Sequence, residues 1–122
     1  MQPAGSGGGG LADPCNAGEC KVAVDVTNCV ITPKPDPLPV HGENNIFWEL
    51  KWSWMYRFQD DNAVKLKTES PVFDGAKKLN DSTFKMHDKG DKGTYPYAIK
   101  VQHWVMFQWV DCSPLDPTIV NG

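Results

Sequence analysis

The residues best able to do chemistry here are three histidines, four methionines and four cysteines. His41, His87 and His103, with Met55, Met86 and Met106, supply the ligand types of a copper centre built from histidine, thiolate and thioether. Among them His41, His103 and Met106 are the candidate metal ligands. Cys15, Cys20, Cys29 and Cys112 fit no paired C-x2-C zinc pattern, because four residues separate the first two and eight separate the second from the third. Four cysteines allow three pairings. We favour Cys15–Cys20, closing a small loop, and Cys29–Cys112, tying an early strand to the late chain. In a reducing compartment Cys29 and Cys112 read instead as small buried apolar groups.

Nucleophilic catalysis finds no support in the sequence. Ser53, Ser70, Ser82 and Ser113 lack a G-x-S-x-G elbow. His87 and Asp88 are neighbours, and neighbours on a strand point to opposite faces, so they do not form a His–Asp pair there. Asp60-Asp61 reads as turn chemistry. The glycines at 7–10 do not sit between a strand and a helix, so they form no phosphate cradle. No catalytic residue and no cofactor is assigned, and the chain reads as a non-enzyme.

Composition sets the outer bounds. A chain of 122 residues makes one domain. The net charge of −3, with Arg57 the sole arginine, argues against nucleic acid. No apolar run approaches the roughly 20 residues that span a bilayer, so no membrane is expected either. Residues 1–14 read as a flexible Gly-rich tail and residues 15–122 as the domain. The start has no basic or apolar leader segment, which reads as cytoplasmic as written, and as periplasmic or secreted if a leader has been trimmed.

The elements that must position these residues are strands. Val22, Val24 and Val26 alternate with polar neighbours, and the phase flips after Thr27-Asn28, which marks a bulge or bend. Pro33, Pro35, Pro37 and Pro39 exclude a central strand or a helix and mark an extended edge or crossover. Ile46, Trp48, Leu50, Trp52, Trp54, Tyr56 and Phe58 share one parity, a long β pattern with a bend expected near Trp52–Met55. Residues 74–93 read as a solvated loop-and-strand region interrupted by Phe84 and Met86. Alternation resumes from Tyr95 to His103. The chain carries five Trp, five Phe and three Tyr, and these rings are expected mainly in the core. No helical period persists, so the class is all-β: an antiparallel Greek-key β-sandwich of about seven or eight strands, of the kind immunoglobulin-like domains build.

The order of these elements resembles that of the cupredoxins. An alternating strand is followed by a proline-containing one and by Asn45-Ile46-Phe47-Trp48. Gly93-x-Tyr95-x-Tyr97 then leads into a loop, and Thr118–Asn121 closes the chain. The resemblance covers most of residues 20–121 and implies a loop bearing a copper thiolate, a histidine and a methionine. Ile99 stands where it places the thiolate, and the stretch after the strand at 45–50, where it places the first histidine, reads Trp52-Ser53-Trp54-Met55-Tyr56. His103-x2-Met106 echoes the remainder, but Cys112 follows it. The scaffold therefore reads as cupredoxin-like without the type-1 copper ligands.

The resulting expectation is a non-catalytic binding or structural module for a protein or glycan, with a homo-oligomer as a further option. Residues 102–109 are the candidate surface, through Trp104, Met106, Phe107 and Trp109. If this stretch is a strand, both its faces are apolar and one must be covered. Two alternatives are a copper-binding protein using His and Met, and a carbohydrate-binding module using exposed Trp.

Overall fold

Val22, Val24 and Val26 point inward together, as their spacing requires, and form the buried face of β2 (Glu19–Thr27) in the computed structural model, which describes residues 13–52 and 54–122. The Gly-rich tail falls largely on residues 1–12, which lie outside the described residues. Pro14 already belongs to the folded part, because its carbonyl accepts a hydrogen bond from the Lys21 amide at 2.9 Å.

The first sheet is built around β2. One of its edges pairs with the short β1 (Cys15–Asn16) and with β3 (Val30–Lys34). The phase flip seen in the sequence is a tight hairpin turn in which Asn28 and Cys29 both take positive φ, 49° and 64°. On its other edge β2 runs parallel to β5 (Asn44–Leu50), followed by β9 (Thr83–Asp88) and then by β8 (Phe73–Asn80) at the rim. The proline run carries the chain across to the second sheet, where β4 (Leu38–Val40) lies parallel to β13 (Thr118–Asn121). β10 (Gly93–Ile99) and β7 (Val64–Leu66) complete that sheet. A third, smaller sheet consists of β6 (Tyr56–Arg57), β11 (Gln102–Val105) and β12 (Gln108–Asp111).

Aromatic side chains fill the space between the two large sheets. Trp48 and Tyr97 are fully buried and meet at 5.4 Å, and the indole N–H donates to the Tyr97 hydroxyl at 3.1 Å. Phe84 packs edge-on against both Trp48 and Phe58. Such pairs add a little to what burial of the rings already contributes.

The all-β class stands, but with more and shorter strands than expected. One segment reading needs correction. The even-numbered residues 46–58 do not form one strand face: β5 stops at Leu50, Trp52 takes a φ of 60°, and Trp52 and Trp54 are exposed while Trp48 and Tyr56 are buried. Residues 74–93 do combine strand and loop, with β8 and β9 forming a hairpin through Asn80 and Thr83. β8 escapes sequence pattern since it is a rim strand with almost every side chain in solvent.

Both favoured disulfides are present, Cys15–Cys20 and Cys29–Cys112. The second joins the β2–β3 turn to the residue after β12. The two disulfides point to an oxidising environment, which stands against the cytoplasmic side of the expectation and leaves the periplasmic or secreted side in place.

Candidate functional site

β5 and β10 run in the same direction, from an end holding Asn44 and Gly93 to an end holding Leu50 and Ile99. The two strands thus define two ends about 20 Å apart, the length of seven strand residues. Each end gathers a different set of side chains.

The first end is aromatic and is built by the chain that leaves β5 and β10. β11 and β12 form a hairpin whose regular ladder pairs Trp104 with Trp109 and Val105 with Gln108. Met106 and Phe107 are therefore a two-residue turn, with φ of 50° and 64°. A turn with positive φ at both central residues is ordinarily made by Asn-Gly or similar pairs, because a Cβ is strained there. Here two large apolar residues hold it, and they are 84% and 92% exposed. The turn also resets the side-chain phase. Trp104 and Trp109 lie on the same face, 5.2 Å apart and tilted by 56°, and not on opposite faces as simple alternation through 104–109 implies.

Behind these rings runs a polar chain. The Arg57 guanidinium stacks 4.3 Å over Trp109 and its Nε donates to Gln102 Oε1 at 2.8 Å. Gln102 Nε2 in turn donates to Asp111 at 2.8 Å. On the other face His103 stacks on buried Tyr56 at 4.5 Å, and its buried Nε2 has no hydrogen-bond partner among the described residues. The Trp104 amide donates to the Met55 carbonyl at 2.8 Å, which brings the 52–55 turn beside the hairpin. Trp54, 73% exposed, adds another large ring on that turn.

The second end is polar. Asp88 and Asn121 are buried, and Asn121 Nδ2 donates to Asp88 Oδ1 at 2.8 Å. Burial raises the Asp88 carboxyl above its ordinary value, against the opposing effects of the Gly90 amide and Asn121. Gly90 has a φ of 92°, and a Cβ there would run into the Gly42 backbone. Outside, His87 lies between two carboxylates, with Nδ1 2.8 Å from Asp74 and Nε2 2.8 Å from Glu43. The hydrogen bond with Asp74 raises the imidazole above its ordinary value, and Glu43 adds to this. The expectation that His87 and Asp88 face apart is met, and each has found other partners. Sequence gave no signal for those partners, which come from β8, β13 and the loop before β5.

The candidate metal set is not brought together. His41 sits at the polar end, its carbonyl bonded to Asn44, whereas His103 pairs with Tyr56 at the aromatic end. Met106 is at the exposed tip of the turn. Cys112, like the other cysteines, is in a disulfide and offers no thiolate, and Ile99 is buried at the position where the resemblance places one. These residues do not fit a type-1 copper centre. The partner-binding candidates Trp104, Met106, Phe107 and Trp109, by contrast, converge on one hairpin. No family model matches the chain, and no curated protein matches it.

Proposed function

We propose that the chain is a non-catalytic binding module on a cupredoxin-like β-sandwich, and that it docks its partner through the β11–β12 hairpin. One observation carries this reading: Met106 and Phe107 stand almost fully in solvent in a backbone conformation that disfavours them. Free energy is spent there in strain and in apolar exposure with no return in folding, which is characteristic of a surface kept for contact. The protruding tip fits an apolar recess on another protein. The tilt between Trp104 and Trp109 does not supply the flat row of rings that a sugar chain stacks on.

The scaffold assignment is supported by β10, which holds Gly93-x-Tyr95-x-Tyr97 and leads into the long excursion 100–117, and by the closing strand β13. The non-catalytic reading is supported by His87, whose ring nitrogens are both engaged by carboxylates. The test is a photo-reactive residue at position 107, exposed to the extracellular and periplasmic fractions of the source cells. A single cross-linked protein, lost when Met106 is replaced by Ser, supports the reading. Cross-linking that is unaffected by Met106→Ser counts against it. Saturable oligosaccharide binding abolished by Trp104→Ala replaces it with the carbohydrate-binding alternative, and stoichiometric copper uptake abolished by His103→Ala replaces it with the copper-binding one.

A further inference from the structure

Rim strands expose unpaired backbone groups, and folded proteins usually guard them with lysine, proline, bulges or brevity. Among the described residues nearly every rim strand here is guarded. β1 and β6 have two residues each. β3 carries Pro33 and Lys34, β4 carries Pro39, and β7 carries Lys65. β8 carries Lys77 and Lys78, and its pairing with β9 is interrupted by two register shifts. The exception is β12, Gln108-Trp109-Val110-Asp111, which pairs with β11 without a shift and holds neither lysine nor proline.

We propose that β12 is the seam of a symmetric dimer, in which two copies of this chain pair antiparallel through that strand with Val110 on the two-fold axis. A two-fold axis normal to the sheet keeps each face on its own side, so residues opposite one another must share parity. With Val110 facing its own copy, Trp109 lies opposite the second copy's Asp111. Arg57, already stacked over Trp109, then meets that carboxylate across the seam, and the same pairing recurs on the other side of the axis. The two charges lie on one face of the sheet: Trp109 pairs with Trp104, and Arg57 and Asp111 each pair with Gln102. The chain is thus complementary to itself in this register. On the opposite face the exposed Val110 is covered by its copy, a β-branched cross-strand contact. Met106 and Phe107 lie beyond the end of the paired segment, so the dimer leaves the tip available and does not depend on its partner.

Sedimentation velocity on the full chain, with both disulfides intact, tests the dimer. Wild type is expected to show a concentration-dependent monomer–dimer equilibrium. Val110→Lys sets two like charges on the axis and is expected to weaken it at least about a hundredfold with thermal stability retained. Val110→Cys is expected to form a covalent dimer under mild oxidation, much faster than Val30→Cys at a still more exposed rim position, and it decides the matter if the lysine variant fails to fold. A wild type that stays monomeric up to about 1 mM, or a Val110→Cys chain that cross-links no faster than Val30→Cys, overturns the proposal. Met106→Ser with Phe107→Ser is expected to leave the dimer intact, so loss of tip docking and loss of the dimer are read separately.

Discussion

Asn121 holds Asp88 by a 2.8 Å hydrogen bond from its amide to the carboxylate, joining the last strand of one sheet to the β8–β9 hairpin of the other. The bond is buried, and it is incomplete: Asp88 Oδ2 and Asn121 Oδ1 have no hydrogen-bond partner among the described residues. A carboxylate in that position is costly to ionise, which is the physical basis of its raised pKa. Between the ordinary aspartate value and the raised one, the folded state binds more protons than the unfolded chain. Stability contributed by Asp88 is therefore lost as pH rises through that window. We expect the stability difference between wild type and Asp88→Asn to shift in favour of the variant from pH 3 towards neutrality, read from urea midpoints. A difference that is flat across this range removes the buried acid from the account.

His87 is stabilised in its charged form where Asp88 is stabilised in its neutral one, yet its contribution also falls as pH rises. Its imidazole donates to Asp74 and Glu43 only when both nitrogens carry protons, so the folded state favours the charged form. The contribution is present below the unfolded histidine value of 6.5 and is lost as pH rises through the raised folded value. Proton NMR titration is expected to place His87 above the ordinary histidine value. Asp74→Asn should bring it down further than Glu43→Gln does, because the Asp74 hydrogen bond is the larger cause. The group is solvated, so the gain in stability is small and best read from the titration itself.

How much of this was legible in the sequence depends on whether one period governed the segment. β2 and β10 were readable because a regular strand between solvent and core imposes alternation on Val22, Val24 and Val26 and on Tyr97 and Ile99. β8 was not, because a rim strand with both faces wet has no pattern to impose. Trp52 and Trp54 kept the parity of Trp48 while the chain turned beneath them, so parity alone assigned two exposed rings to the core. The aromatic hairpin was found as a density of large residues, but its turn was not, since Met-Phe is an improbable pair for positive φ. The Asp88–Asn121 and His87–Asp74 contacts depend on sheet order, which a single chain's spacing does not encode.

The two disulfides differ in what they constrain. Cys29–Cys112 spans 83 residues and Cys15–Cys20 spans five. In the loop-closure account the first restricts the unfolded chain by about 4–5 kcal/mol and the second by roughly 2 kcal/mol. Replacing Cys29 and Cys112 by alanine should therefore lower the unfolding free energy about twice as far as replacing Cys15 and Cys20. Equilibrium urea denaturation under non-reducing conditions measures both. Equal losses would mean that native packing around the sulfurs, and not the closed loop, sets the cost.

The turn at the aromatic tip carries the sharpest prediction, because stability and docking should move in opposite directions there. Met106 and Phe107 occupy positive φ, where a non-glycine residue costs about 1–3 kcal/mol, and both expose apolar surface that folding does not use. Asn-Gly suits the same backbone without that strain. The double change Met106→Asn with Phe107→Gly should therefore raise the unfolding free energy by about 1 kcal/mol or more, seen as a later urea midpoint with an unchanged slope. The same change removes the two side chains that the proposed docking uses, and cross-linking from a probe at Trp54 should fall with it. A variant that loses stability would show that the Met-Phe turn serves the fold. A variant that gains stability and keeps its partner would place the docking surface elsewhere, on the Trp104–Trp109 face or the 52–55 turn.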